Sequence, residues 1–182
     1  MGKEEYYAAL DNERRVIGKA SWKEVHEKGL LHAVVACFVF QDSSRRKILL
    51  QKRIVHAAQD PGLWNHSAGG HILYNELPQQ GMRRELKEEL FSGKPLPKID
   101  IKPVAVFMQE DRPNNKEILY LFETTYKGPF HYDTQEIEEE PQWIAWDVLV
   151  RDIQVNPNRY TVSFKNSIVA YENAVLVKPR AV

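Results

Sequence analysis

Three carboxylates stand close together in this sequence, at Glu85, Glu88 and Glu89, with a spacing typical of one side of a helix. Residues three and four apart are neighbours on a helix surface, so these side chains are predicted to project together. Like charges this close repel unless a cation lies among them, and the adjacent Arg84 is predicted to point to a different side. A hard divalent cation with oxygen ligands, Mg²⁺ or Mn²⁺, would neutralise the group. A solvated acidic face is the alternative that the spacing alone leaves open.

The helix that must position these acids is predicted from Pro78 to Phe91. Met82, Leu86 and Leu90 recur every four residues and form an apolar stripe, about a quarter turn from the acids at about 100° per residue. Pro78 suits the first turn of a helix, because its missing N–H has no intrahelical partner at that position. One face of the helix is therefore available to a core, and an adjacent face is anionic.

The residues ahead of this helix extend the pattern. Gly70 is followed after five residues by Glu76, and after seven more by residues 84–89, which read RELKEE. This resembles the Nudix box, G-x5-E-x7-R-E-U-x-E-E-x-G-U, in which U is an aliphatic residue. Every charged position of the box is occupied here at the right spacing.

The resemblance assigns roles to these residues. It implies that the three glutamates hold the metal and that Arg84 forms a salt bridge with Glu76, which stabilises the loop against the helix. It also implies the Nudix fold, a mixed β-sheet sandwiched between α-helices. The last glycine of the box falls on Phe91, and the next glycine is Gly93, so the end of the helix is predicted to be shifted.

The resemblance extends over roughly residues 5 to 150. The segments 16–20, 24–32, 49–53 and 61–71 are similar to the isopentenyl-diphosphate-isomerase-like branch of the Nudix superfamily, which contains a true isomerase and related hydrolases. In the isomerase, a metal site of histidines and glutamate maps to His26, His32, His71 and Glu117, and a second acid of that site maps to Asn115. Hydrogen-bonded structural histidines are the alternative for the first three of these positions.

The essential cysteine of the isomerase aligns with Gly69. Glycine has no side chain that acts as an acid or a base, so the resemblance favours a hydrolase. The expected reaction is Mg²⁺-dependent hydrolysis of a diphosphate joined to an organic group, such as a nucleoside. The general base is left open among Glu88, Glu89 and Glu136, the last in the acidic loop at residues 135–140. An isomerase-like enzyme and a non-catalytic domain that senses a nucleotide or diphosphate are the alternatives.

Other polar residues are candidates for substrate contacts. Gln51 and Arg53 alternate along one predicted strand and could reach phosphate oxygens, and Gly70 is grouped with them as substrate-binding; a plain surface role is the alternative for the two side chains. His66 and His131 stand in polar segments and are interpreted as incidental.

Composition limits the remaining possibilities. The chain has 182 residues, 43% hydrophobic and 27% charged, which indicates a single globular domain over residues 1–182. With 25 basic and 25 acidic residues it has no basic excess for binding nucleic acid. Cys37, the one cysteine, lies in an apolar run and is expected in the core. The sequence shows no signal-peptide pattern and no apolar stretch long enough to span a membrane, so a cytoplasmic location is expected, with a homodimer left open.

Strands and helices are predicted to alternate around one sheet, which indicates an α/β or α+β class with helices on both faces. The predicted strands are residues 6–10, 16–19, 31–40, 47–54, 104–109, 117–126 and 143–145. A last amphipathic helix is predicted at residues 159–175, after the helix from Pro78 to Phe91.

Overall fold

The structure, a computed structural model, describes residues 5–135 and 137–176. The strands are β1 (Tyr6–Leu10), β2 (Val16–Ser21), β3 (His32–Phe40), β4 (Lys47–Lys52), β5 (Trp64–Asn65), β6 (Ala68–His71), β7 (Lys102–Arg112), β8 (Asn115–Thr125) and β9 (Gln142–Ala145). The helices are α1 (Trp22–Glu27), α2 (Pro78–Phe91), α3 (Trp146–Val155) and α4 (Val162–Leu176), with a 3-10 turn at Pro157–Arg159.

The central sheet is mixed and contains a cleft. Its strands follow the order β5-β4-β3-β8-β7, while β6 pairs with β3 and β9 pairs with β4. Strands β3 and β8 are parallel and in register from His32–Glu117 to Phe40–Thr125. On its other side β3 pairs with β4 at Phe40 and with β6 from Val34 to Cys37. Strands β4 and β6 therefore diverge from one another along β3, and the space between them is open to side chains from α2.

Helices cover both faces of this sheet, as the sequence predicted. On one face Met82, Leu86 and Leu90 of α2 pack with Val35 and Cys37 of β3. On the other face residues of α3 and α4 pack against the alternate side chains of β3, namely Leu149, Phe164, Ile168 and Tyr171 against Phe38 and Phe40. The period-2 alternation of β3 thus supplies both cores, and the α+β class is confirmed.

The predicted elements are present, and short ones appear that the sequence analysis did not predict. Helix α1 has six residues and begins at Trp22. The preceding Ser21 is its N-cap, and the Ser21 hydroxyl accepts a hydrogen bond from the Glu24 N–H in a capping box. Strands β5 and β6 and helix α3 were also not predicted. Helix α2 ends at Phe91, followed by Ser92 at φ 46° and Gly93 at φ 74°, so left-handed residues end the helix just beyond the position of the box glycine.

The structure also describes the surroundings of Cys37 and the length and polarity of the helices. Cys37 is fully buried, which confirms its place in the core. Within the described part of the chain, the helices are all too short or too polar to cross a membrane.

The apolar stripe of α2 is expected to determine how firmly the acidic helix is held. Leu86 is 1% exposed, so Leu86→Ala leaves a cavity and is expected to lower the free energy of unfolding by about 3 kcal/mol. Leu77, at the start of the same helix, is 64% exposed, and Leu77→Ala is expected to change it by less than about 0.5 kcal/mol. Urea unfolding of both variants measures the difference. Equal losses would contradict the packing of α2 described above.

Candidate active site

The carboxylate of Glu85 lies over the backbone of strand β6. A side chain at Gly70 would overlap this carboxylate, because an added Cβ would be 2.7 Å from Oε2. Glu85 is 9% exposed, and burial raises its pKa to about 7, against the lowering effect of Arg84. The glycine that opens the box is therefore required to make room for the first of the three acids.

Arg84 connects the loop, the strand and the helix. Its Nε and Nη2 donate to the two oxygens of Glu76, each at 3.0 Å, and Nη2 also donates to the His71 carbonyl oxygen at 2.7 Å. The salt bridge implied by the resemblance is thus present. Nη1 donates to Glu85 at 2.6 Å and to Glu88 at 3.1 Å. The prediction that Arg84 points away from the acids is wrong, because its long side chain reaches Glu88 one helical turn further on.

Glu89 is held by donors from two strands. The Gln51 Nε2 and the Gly69 N–H both donate to Oε2 of Glu89, each at 3.1 Å. Gln51 is 4% exposed and lies behind this carboxylate, so its observed contact is with the acid, and a contact with phosphate stays a prediction. The side chain of Glu88 is 53% exposed. The three acids therefore differ in environment, with Glu85 buried, Glu89 held by N–H donors and Glu88 accessible.

Three histidine rings form a cluster beside these acids. One ligand atom from each of His26, His32 and His71 lies within 4.8 Å of the others. The Nδ1 atoms of His26 and His32 lie 2.8 and 2.9 Å from the carbonyl oxygens of Trp22 and Leu30, respectively. The Nε2 atoms of all three rings are buried and have no hydrogen-bond partner among the residues that the structure describes.

This arrangement fits a metal ion. Histidines that bind metals commonly donate from the other ring nitrogen to a carbonyl, as His26 and His32 are placed to do. Burial lowers the pKa of His32 to about 4 and that of His71 to about 3, so both rings are neutral at physiological pH, as a ligand must be. Three buried nitrogens without partners argue against the alternative of hydrogen-bonded structural histidines.

Glu117 lies beside this cluster. Its Oε1 lies 3.9 Å from His32 Nε2, and burial raises its pKa. The Gln109 Nε2 donates to one carboxylate oxygen at 2.6 Å, and the Asn115 Nδ2 donates to the other at 2.8 Å. Asn115 therefore supports Glu117 through its amide nitrogen.

Gly69 has no room for a side chain. An added Cβ would lie 2.7 Å from the Val35 carbonyl oxygen and 3.2 Å from the Cα of Ala36, its partner on β3. Both neighbours are backbone atoms of a central strand, which cannot move without disturbing the sheet. The position of the isomerase cysteine is thus occupied by the close approach of two strands.

The acids of α2 and one ring of the histidine cluster line a cavity of about 710 Å³. It is lined by the three box glutamates, Arg84, Glu117, His71 and both glycines of β6. Arg53 also lines it, just beyond the end of β4, and its Nε donates to the Gln59 carbonyl oxygen at 2.9 Å. Within the described residues Arg53 has no carboxylate partner, so its guanidinium is available to an anionic ligand.

Several residues of the cavity were missed or misjudged from the sequence. His66 is 3% exposed, and its ring nitrogens contact Asn65 and Ser167, so its interpretation as incidental in a polar loop is wrong. Tyr7 packs against His71 with tilted rings whose centroids are 4.8 Å apart, and Trp22 packs against His26, one turn further along α1, at 4.3 Å. The contacts of Tyr7 with His71 and of His66 with Ser167 join segments distant in sequence, and no local pattern signals them. Glu136, one of the candidate bases, lies outside the described residues.

Comparisons with known proteins identify the family. Residues 30–164 match the family model of the NUDIX domain. An isopentenyl-diphosphate Delta-isomerase of Serratia proteamaculans (strain 568) is 30% identical over 165 residues, 88% of each chain. A Nudix hydrolase of Clostridium acetobutylicum is 33% identical over 140 residues, 75% of this chain and 66% of its own.

The fold has a solved counterpart as well. A crystal structure from Deinococcus radiodurans is similar over 91% of this chain and 98% of its own, with a TM-score of 0.73 and 17% sequence identity. At this identity the likeness concerns the fold alone. The family match covers well over half of the chain and includes the whole glutamate helix, and the chain therefore belongs to the Nudix family.

Proposed function

We propose that this chain is a Mg²⁺-dependent hydrolase of a diphosphate joined to an organic group. The observation that supports it best is the convergence of three acids of one helix in a single cavity with Arg53, which has no carboxylate partner among the described residues. Such a pairing suits a ligand that is itself anionic and is bound together with a cation.

Glu85, Glu88 and Glu89 would hold the cation, which Mn²⁺ could replace. When bound, Mg²⁺ neutralises charge on the diphosphate and makes water more acidic. The chain prepares this site in advance, because Gly70 leaves space for Glu85 and the N–H donors fix Glu89. Arg84 shares its Nη1 between Glu85 and Glu88 and so reduces their repulsion before a cation binds.

Glu88 is our choice for the general base. A base must reach the attacking water, and the side chain of Glu88 is 53% exposed, whereas that of Glu85 is 11% exposed. Glu89 is engaged by two donors on one oxygen, which favours a fixed ligand over a proton carrier. Arg53 would bind phosphate oxygens through the guanidinium nitrogens not used by Gln59.

The histidine cluster supports a second cation site, held by His26, His32 and His71 with Glu117 beside them. Isomerase-named relatives make isomerisation the competing function. The crowded backbone at Gly69 opposes it, because protonation of a carbon requires an acid side chain that this position cannot hold.

Removing one acid of the helix tests the hydrolase directly. Glu89→Gln is expected to lower metal-dependent cleavage by at least about a hundredfold, because a ligand of the proposed cation is neutralised. Phosphorus NMR with Mg²⁺ and a panel of ADP-ribose, ADP and isopentenyl diphosphate measures new monophosphate signals. Glu13→Gln, in an exposed turn, is the control and should keep full activity. Tight binding of a panel member without cleavage by the unaltered chain would favour a sensor instead.

Restoring the missing cysteine tests the isomerase. Gly69→Cys is expected to give no deuterium uptake from D₂O into isopentenyl diphosphate, and to lose about 1–3 kcal/mol of stability by overpacking. Gly18→Cys is a matched control, since an added Cβ at Gly18 meets nothing within 4 Å. Deuterium in the product of Gly69→Cys, measured by proton NMR, would show that the sheet adapts and that isomerisation is within reach of this site.

The second cation site has its own test. Co²⁺ added to the metal-free chain is expected to give the visible absorption of a nitrogen-ligated ion, and His32→Ala is expected to weaken its binding by at least about tenfold. His131→Ala, at an exposed position, should leave the titration unchanged. An identical titration for His32→Ala would remove the histidine cluster as a metal site.

A further inference from the structure

A second group of polar side chains lines the cavity and has no part in the proposed hydrolysis. Asn65 and His66 come from the end of β5 and the residue after it, and Thr161 and Ser163 from the start of α4. Asn65 pairs across the strands with Gln51, whose amide holds Glu89. This group, the Asn65 wall, therefore lies next to strand β4, which carries the Gln51 that holds Glu89.

Hydrogen bonds within the wall fix the direction of each proton. The Phe164 N–H donates to Thr161 Oγ1 at 3.1 Å, as in a helix N-cap. A hydroxyl has a single proton, and Thr161 Oγ1 lies 2.9 Å from Asn65 Oδ1, so the threonine proton points to that oxygen. The Asn65 side chain is thereby oriented with its oxygen towards α4.

The same Asn65 oxygen also faces His66. His66 Nδ1 lies 2.9 Å from the same Asn65 oxygen, which can only accept, so Nδ1 bears the proton. Its Nε2 then accepts from the Ser167 hydroxyl at 2.8 Å. Burial lowers the pKa of His66 to about 3, which leaves a neutral ring with one proton, as this arrangement requires.

The consequence is a pair of unused donors. With its oxygen occupied twice, Asn65 has an Nδ2 without a partner among the described residues, and the residue lines the cavity. Ser163 behaves similarly, because its Oγ accepts from the Gln109 Nε2 at 2.8 Å and its own proton remains available. The Gln109 oxygen is in turn held by the Asn166 amide at 3.2 Å.

We propose that Asn65 is a specificity-determining residue, whose amide nitrogen donates to an oxygen on the organic group of the substrate. This inference rests on the proposed function. A sugar or nucleoside offers such oxygens, whereas a hydrocarbon group would cover the amide and the Ser163 hydroxyl and leave them without partners. A site built to hydrogen-bond its ligand rejects the analogue that lacks the acceptor. The preferred substrates are therefore diphosphates of oxygen-rich groups.

Binding measurements separate this role from phosphate binding. Calorimetry with ADP-ribose, isopentenyl diphosphate and inorganic pyrophosphate, with Ca²⁺ in place of Mg²⁺ to slow turnover, gives three dissociation constants for each variant. Asn65→Asp keeps the acceptor for Thr161 and His66, and Asn65→Ala keeps the charge. Each variant is expected to weaken the binding of ADP-ribose by at least about tenfold relative to the binding of pyrophosphate. Asn12→Asp, in an exposed turn, controls for the added charge.

The outcomes are distinct. Equal weakening of ADP-ribose and pyrophosphate would assign Asn65 to the phosphates and overturn the inference, as would isopentenyl diphosphate binding to the unaltered chain as tightly as ADP-ribose. Either result would leave the proposed hydrolase standing if phosphorus NMR shows cleavage. Failure of all three ligands to bind the unaltered chain, with no cleavage, would overturn the proposed function and the inference together.

Discussion

The contacts of Arg84 are the interaction on which the rest of the site depends. Buried carboxylates repel one another and are costly without a cation, and this guanidinium contacts Glu85 and Glu88 directly. The same group holds Glu76 in the preceding loop and the His71 carbonyl on β6. One side chain therefore fixes the acidic helix relative to the strand that supplies a histidine. Lysine, with a single ammonium group, could not make these contacts at once.

Strand β6 is adapted to the helix through two consecutive glycines that serve different neighbours. Gly70 leaves space for a carboxylate, whereas Gly69 leaves space for the carbonyl of Val35 and donates its own N–H to Glu89. Both are possible because β4 and β6 diverge along β3, so that α2 can present its acids at the opening. These two glycines therefore allow β6 to lie close both to β3 and to the acids of α2.

The sequence could predict what depends on local pattern. The periodic helix α2 and the long strands β3 and β8 have strong hydrophobic repeats, and the box motif identified the family. Strand β6 and helix α1 are four and six residues long, too short for periodicity to show. The contact of Arg84 with Glu88 follows the i, i+4 spacing of a helix and could have been predicted. Its contacts with Glu76 and His71, and the burial of His66, depend on residues 8 to 101 positions away, which no local rule contains.

Gly69 also bears on the two activities named among the relatives, isomerisation and hydrolysis. The histidine cluster has three ring nitrogens without a partner among the described residues, which is the arrangement a metal ion would need. A side chain at Gly69, however, would displace the backbone whose N–H holds Glu89 against Gln51. A side chain at Gly69 is therefore incompatible with the close approach of β6 to β3, and a shift of β6 would move the N–H that fixes Glu89. In this chain the backbone of β3 occupies that space, and the third glutamate of the helix keeps both of its donors.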